Sequence, residues 1–336
     1  MQFQLFTPEQ DRIRANLADR YGQWLDLRRV AANNAYRLVW KSTNGVRYLY
    51  ETWGREGNGR SLGAETPALV ERHRQFQSDR IDFKLDMEEV TKAIAETASL
   101  YATLRLPMVD TRAAEIFREA DIAGMLGTQL LVVGTNAMMA YEMEAGARIF
   151  MGFDATADCD LAFGGEVVSF TSSGGRQLDR TLFSLLRSMD ATYTVNSERP
   201  FQARNRKTFE VELLAAPSVI DKLPKGELVP VSGMIEQDWL LKGRPVNQIV
   251  CGLDRKPTRI ICPDPRWMAL HKTWLSQQDK RRADKRSKDA EQGKRLFAAT
   301  RERMPQYPFD AAFEMEIPEV LGGIYEGLKT GGLNPK

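Results

Sequence analysis

Residues 130–161, LLVVGTNAMMAYEMEAGARIFMGFDATADCDL, constrain the fold more than any other stretch. An apolar run over 130–133 stops at Gly134-Thr135, a helix-like segment follows, and an extended segment then carries Asp158 and Asp160 two residues apart. Alternate side chains of a strand share a face, so the two carboxylates project together, roughly 6.6 Å apart along the backbone. Carboxylates so placed can grip one hard cation or share a pair of ions, as phosphoryl-transfer sites require. Gly134 lets backbone approach a ligand, Thr135 offers a hydroxyl, and the helix that follows turns its positive end toward an anion such as a triphosphate. Each half alone also has an ordinary reading, a turn with an N-cap and a solvated strand face. Their strand–helix–strand order is what joins them.

Residues 208–214, TFEVELL, alternate at period two and predict a strand with Glu210 and Glu212 on one face. A third carboxylate on a neighbouring strand would complete such a site.

These residues resemble the nucleotidyltransferases of the DNA polymerase beta superfamily. That family carries Gly-Ser or Gly-Thr after a strand, two acidic residues separated by one apolar residue, and a later acidic residue between apolar ones. Here the matching positions are Gly134-Thr135, Asp158-Cys159-Asp160-Leu161 and Val211-Glu212-Leu213. The wording VVGTNAMMAYE followed by ATADCDL is similar to a bacterial nucleotidyltransferase-like branch. The spacing from Gly134-Thr135 to Asp158 is longer than in compact members, and the third carboxylate is Glu where Asp is commoner. Glu210 competes with Glu212, which is favoured for its apolar neighbours.

The resemblance implies transfer of a nucleoside monophosphate from a nucleoside triphosphate (NTP) to an acceptor, with release of pyrophosphate. Asp158, Asp160 and Glu212 would act on Mg2+ or Mn2+, Gly134 and Thr135 on the terminal phosphates, and Lys272 as a supporting cation. RNA, including transfer RNA, a protein side chain or a small molecule would all serve as acceptor. The rival expectation is a nucleotide- or nucleic-acid-binding regulatory protein of the same fold with little turnover. Lys288-Asp289 followed by Gln292 is also similar to a feature of that branch, in which a terminal helix packs beside the nucleotide.

The chain's 336 residues, 43% hydrophobic and 27% charged, suit a globular protein of two or three domains. No apolar run approaches the roughly 20 residues needed to cross a bilayer, and MQFQLFTPEQDR lacks a basic and apolar leader pattern, so a cytoplasmic location without membrane partners is expected. Two histidines and three cysteines without zinc spacing disfavour a histidine- or thiolate-based metal site. A formal charge of +2 leaves any basic surface local.

In chain order, Thr7-Pro8 opens a helix over 8–33, and Asn44-Gly45 joins two strands. The loop GREGNGRSLG follows, with Arg55 and Arg60, and helices run from Thr66-Pro67 to about Arg105. Thr111 is expected to cap a helix to about Gly124. Beyond the core, 164–176 reads as a hairpin or lid, 178–189 as a helix and 191–195 as a strand. Arg199, Arg204, Arg206 and Lys207 form a basic tip before the third carboxylate strand. Strands over 248–251 and 258–262 precede a helix bearing His271, expected to be a structural hydrogen-bonding residue, and Lys272. A solvated helix over about 279–303 and a frayed tail after Gly322 complete the reading. The expected fold is α+β: a central mixed sheet of the minimal nucleotidyltransferase type between helical N- and C-terminal regions. The expected divisions are 1–110, 111–220 and 221–336.

Overall fold

The computed structural model describes residues 3–33, 36–53, 58–149, 158–171 and 177–331. Arg55, the GFDAT turn with Thr156, and Gly174-Gly175 lie outside the described residues. In chain order the elements are β1 (Gln4–Leu5), α1 (Pro8–Asn33), β2 (Tyr36–Thr43), β3 (Val46–Trp53), β4 (Asn58–Ala64) and α2 (Pro67–Thr103). Then come β5 (Met108–Val109), α3 (Thr111–Ile122), β6 (Leu130–Val132), α4 (Ala137–Ala145), β7 (Ala147–Arg148), β8 (Asp158–Phe163), β9 (Ser169–Thr171) and β10 (Gln177–Asp179). The chain continues through α5 (Leu182–Met189), β11 (Thr194–Val195), β12 (Gln202–Arg204), β13 (Glu210–Ala215), α6 (Glu236–Trp239), β14 (Val246–Gly252) and β15 (Pro257–Cys262). It ends in α7 (Pro265–Ser276), α8 (Ala283–Arg303), α9 (Ala311–Met315) and α10 (Glu319–Thr330).

The start of α1 follows from its sequence. Thr7 Oγ1 accepts from Gln10 N–H while Gln10 Oε1 accepts from Thr7 N–H, a reciprocal cap. Ile13, Leu17, Tyr21 and Leu25 recur every four residues on the buried side, where α1 packs against α2. Asn44 and Gly45 both take positive φ, 52° and 78°, the geometry a two-residue hairpin demands. The segment expected as a loop contains a third strand, because β4 pairs antiparallel with β3 from Asn58 to Ala64. Two expected boundaries also move. Asp110, rather than Thr111, caps α3 by accepting from Arg112 N–H and Ala113 N–H. Residues 177–179 pair with β9, and α5 begins only at Leu182, after Thr181 and Ser184 form a capping box.

The central sheet has the order β11-β12-β13-β8-β6, in which β13 and β8 are parallel and the other neighbours antiparallel. It is therefore a mixed sheet flanked by helical regions, as the pattern of elements implied. A second sheet, β15-β14-β5, contains the expected hairpin. The methionine-rich α4 is core: Met138, Met139, Tyr141 and Met143 are all buried, and Tyr141 donates to Pro263 O at 2.8 Å. The tail expected to fray instead forms α10, burying Leu321, Ile324, Tyr325 and Leu328. Tyr325 joins Phe297, Phe309 and Phe313 in one aromatic cluster, and that apolar surface is what holds α10; residues 332–336 of the expected tail lie outside the described residues. Among the described residues no helix is long and apolar enough to cross a membrane.

Candidate active site

The site is built where β6, β8 and β13 lie side by side. Parallel register sets Glu210 opposite Asp158 and Glu212 opposite Asp160, on adjacent strands about 5 Å apart. All four carboxylates are half-buried, while Cys159, Val211 and Leu213 on the opposite face are fully buried. The alternation in the sequence is thus the alternation of core and site.

The Gly-Thr turn closes onto this face. Val133 N–H donates to Asp160 O at 3.0 Å, and Asn136 Nδ2 donates to Asp158 O at 3.0 Å, so both ends of the turn are laced to β8. Gly134 has φ +67°, and a Cβ there would fall on the Asp160 carboxylate. Glycine is needed twice over, for the left-handed backbone and for the space above Asp160. Gly134→Ala is therefore expected to lower stability by about 1–2 kcal/mol from backbone strain alone, read as a lower denaturant midpoint, and to displace Asp160. An unchanged midpoint would show that the turn relaxes freely.

Electrostatics converge on Asp160. Burial, then the charges of Asp158 and Glu212, push its pKa up to about 7, with Lys272 and Lys285 acting in the opposite direction. Glu212 contributes to this coupling, whereas Glu210 lies 3.6 Å from Arg204 and shares its charge with that guanidinium. Buried Gln202, on β12, holds the two glutamates apart: its Nε2 donates to Glu210 at 3.1 Å and to Glu212 at 3.0 Å, while its Oε1 accepts from Asn196. Sequence reasoning missed Gln202, because the segment before the third-carboxylate strand reads as a basic tip and only pairing with β13 makes it the strand β12.

The C-terminal helices supply the opposing charge. Lys272 on α7 is buried, and its Nζ donates to buried Asp289 on α8 at 2.9 Å, an acceptor it shares with Arg281. Lys285 and Lys288, on the helix read as solvated from its charges, act electrostatically on Asp160 and Asp158 respectively. Gly293 lets α8 cross α7 closely, since a Cβ there would press on Thr273 and Ala269. His271 does not hydrogen-bond as expected. Among the described residues its ring nitrogens have no partner, it packs edge-on to Trp239, and burial, then Lys272, pull its pKa down to about 3, so it is a neutral core ring. Glu142 binds Arg148 and Ile149 N–H, which makes both ends of that contact structural. Arg199, Arg204, Arg206 and Lys207 are exposed but do not form the single basic tip expected: Arg204 ends strand β12 and pairs with Glu210, while Arg199 precedes that strand and Arg206 and Lys207 sit in the turn after it.

The donor set suits a hard divalent cation: carboxylate oxygens whose mutual repulsion the nearby lysines only partly offset, and neither histidine nor an accessible thiolate on the same face. Among the described residues no three His, Cys, Asp or Glu side chains are gathered into a preformed metal cage. Mg2+ is usually held by one or two carboxylates together with substrate phosphates.

No curated protein and no solved structure gives a match to the chain. A family model described as nucleotidyltransferase matches residues 111–317, from the start of α3 to just past α9 and well over half of the chain. With a mixed sheet carrying the Gly-Thr turn and the paired aspartates inside that span, the chain belongs to this nucleotidyltransferase family.

Proposed function

We propose that the protein transfers a nucleoside monophosphate from an NTP to an acceptor hydroxyl or phosphate, releasing pyrophosphate. The observation that supports this reading is the register of β8 with β13, which sets Glu212 beside Asp160 on the face that also carries Asp158, with Asp160 against Gly134. Mg2+ or Mn2+ held by these three carboxylates would offset phosphate charge and acidify the attacking hydroxyl. Gly134 admits the phosphate chain close to backbone, Thr135 donates its hydroxyl to it, and the N-terminal end of α4 favours its charge. Gln202 keeps the Glu212 carboxylate oriented toward Asp160. Lys272 contributes positive field with its ammonium held by Asp289, and Lys285 and Lys288 add to it from α8. The N-terminal 1–110 stretch and the region after 220 would flank this core as separate units, the latter closing the cleft. RNA, a protein side chain and a small alcohol each satisfy the chemistry as acceptor.

The test uses α-labelled nucleoside triphosphates, each with Mg2+ or Mn2+ and a cell extract, comparing wild type with the Asp158→Ala, Asp160→Ala double variant. Label on an RNA, protein or small-molecule fraction with wild type alone is the expected result. Nucleotide binding without transfer of any label would support the regulatory alternative.

A further inference from the structure

A cavity of about 690 Å3 lies away from the carboxylates, within the range of pockets that bury small molecules. It opens between the N-terminal helices α1 and α2 on one side and α3, the end of α5 and the β14–β15 turn on the other. Asn205 in its wall follows Ala203 at strand spacing, and Ala203 pairs with Val211, which pairs in turn with Cys159. Cys159 alternates with the two aspartates along β8, so the cavity belongs to the opposite side of the central sheet.

Its lining has three chemical parts. Trp24, Ile94, Ile116 and Pro257 offer apolar and aromatic surface to a flat ring. Arg28, Arg255 and Lys256 are exposed cations, and among the described residues none pairs with a carboxylate; Arg28 instead lies 5.6 Å over the Trp24 ring. Glu119 provides an acceptor for hydroxyl or amino groups, while Asp190 already accepts from the N–H and hydroxyl of Thr192. The other two arginines of the wall are already committed, Arg112 to Glu115 at 2.7 Å and Arg118 to Asp254 at 2.9 Å. Arg255 also sits at φ +57°, a conformation that disfavours any side-chain-bearing residue other than Asn or Asp. The Arg118–Asp254 contact steadies the turn that holds it there. A guanidinium kept at a position better suited to glycine, beside a free lysine and facing a cavity, has the placement of an anion-binding group.

From this juxtaposition of ring-accepting surface, unpaired cations and a hydroxyl acceptor, we infer that the cavity is a second ligand site, on the back of the sheet, for a nucleoside phosphate. The ring lies along Trp24 and Ile116, the phosphate meets Arg255 and Lys256, and the sugar hydroxyls donate to Glu119. A ligand so bound ties α1 and α2 to α3 and to the β14–β15 turn, which makes it an effector of the protein rather than a reactant at the carboxylates. The inference does not depend on the transfer reaction proposed above.

The test is calorimetric titration of the whole chain in the presence of EDTA. The probes are the four ribonucleoside 5′-monophosphates, the parent nucleosides and inorganic phosphate. One monophosphate is expected to bind at one per chain, with its nucleoside and phosphate alone each at least about tenfold weaker. The Arg255→Gly, Lys256→Ala double variant should weaken binding by at least about tenfold through loss of two charge-assisted contacts. Both residues are exposed and glycine suits the 255 backbone, so an unchanged melting curve is the control for folding. The Asp158→Ala, Asp160→Ala variant should bind as wild type does. Binding lost in the aspartate variant, unchanged in the 255/256 variant, matched by phosphate or nucleoside alone, or absent for every monophosphate would overturn the inference. Transfer of label is read separately, so either reading can fail alone.

Discussion

Glu212→Gln is expected to slow nucleotidyl transfer by about 10²–10³-fold, the scale seen when one preorganised electrostatic contact is removed from an active site. Glu210→Gln should cost less than about tenfold on the same scale. The two residues are chemically identical neighbours on one strand face, and the tertiary structure separates them. Glu212 stands opposite Asp160 and adds to the repulsion that raises the Asp160 pKa, whereas Glu210 stands opposite Asp158 and is partly neutralised by Arg204 at 3.6 Å. Removing a negative charge from this cluster relieves repulsion, so without divalent cation the Glu212→Gln protein should melt no lower than wild type. Slow transfer together with undiminished stability therefore distinguishes a lost functional group from a damaged fold. Rates measured with the labelled acceptor check the order, and a larger effect at 210 would assign the third carboxylate to Glu210.

Asp289→Ala carries the largest expected loss of stability, about 3–5 kcal/mol. Asp289 is 2% exposed and accepts from Lys272 at 2.9 Å and from Arg281 Nε at 2.8 Å. Its removal strands the ammonium of Lys272, itself only 5% exposed, between two closely packed helices. An unpaired buried charge costs far more than the ion pair contributes, so replacing both partners should be milder than removing one. A Lys272→Met, Asp289→Leu double variant is expected to recover most of the loss, as read by denaturant midpoint. That variant also isolates the role of Lys272. Folded but slow, it would show that the lysine's charge acts on the reaction; folded and active, it would show that the lysine serves the helix pair alone.

Most of the local architecture was legible because its causes are local. The Thr7-Pro8 helix start, the Asn44-Gly45 turn and the period-two alternation through Cys159 and Val211 each act within a few residues of chain. The failures share a different cause. β4 reads as a loop because Asn58, Gly59 and Gly63 suit turns, and only pairing with β3 makes the segment extended. The tail reads as frayed because Gly322 and Gly323 weaken a helix by themselves, while burial of Leu321, Ile324, Tyr325 and Leu328 outweighs that weakness. The charges of α8 read as a solvated helix, and only the resemblance points to packing; its Asp289 and Gln292 are buried, Asp289 on Lys272 of α7, and its Lys285 and Lys288 act electrostatically on the carboxylates.

By itself the sequence determined the components: a strand ending in Gly134-Thr135, two aspartates on one strand face, and an acidic strand to follow. Side-chain alternation and turn chemistry are properties of neighbouring residues, so they are written in linear order. Only the tertiary structure decided which residues meet across the fold. The parallel register set Glu212 against Asp160, β12 brought Gln202 between the glutamates, and the crossing of α7 and α8 gave Lys272 to Asp289. Those pairings join residues up to 52 positions apart along β8 and β13 and are fixed by hydrogen-bond register and core packing, which no short stretch of chain encodes.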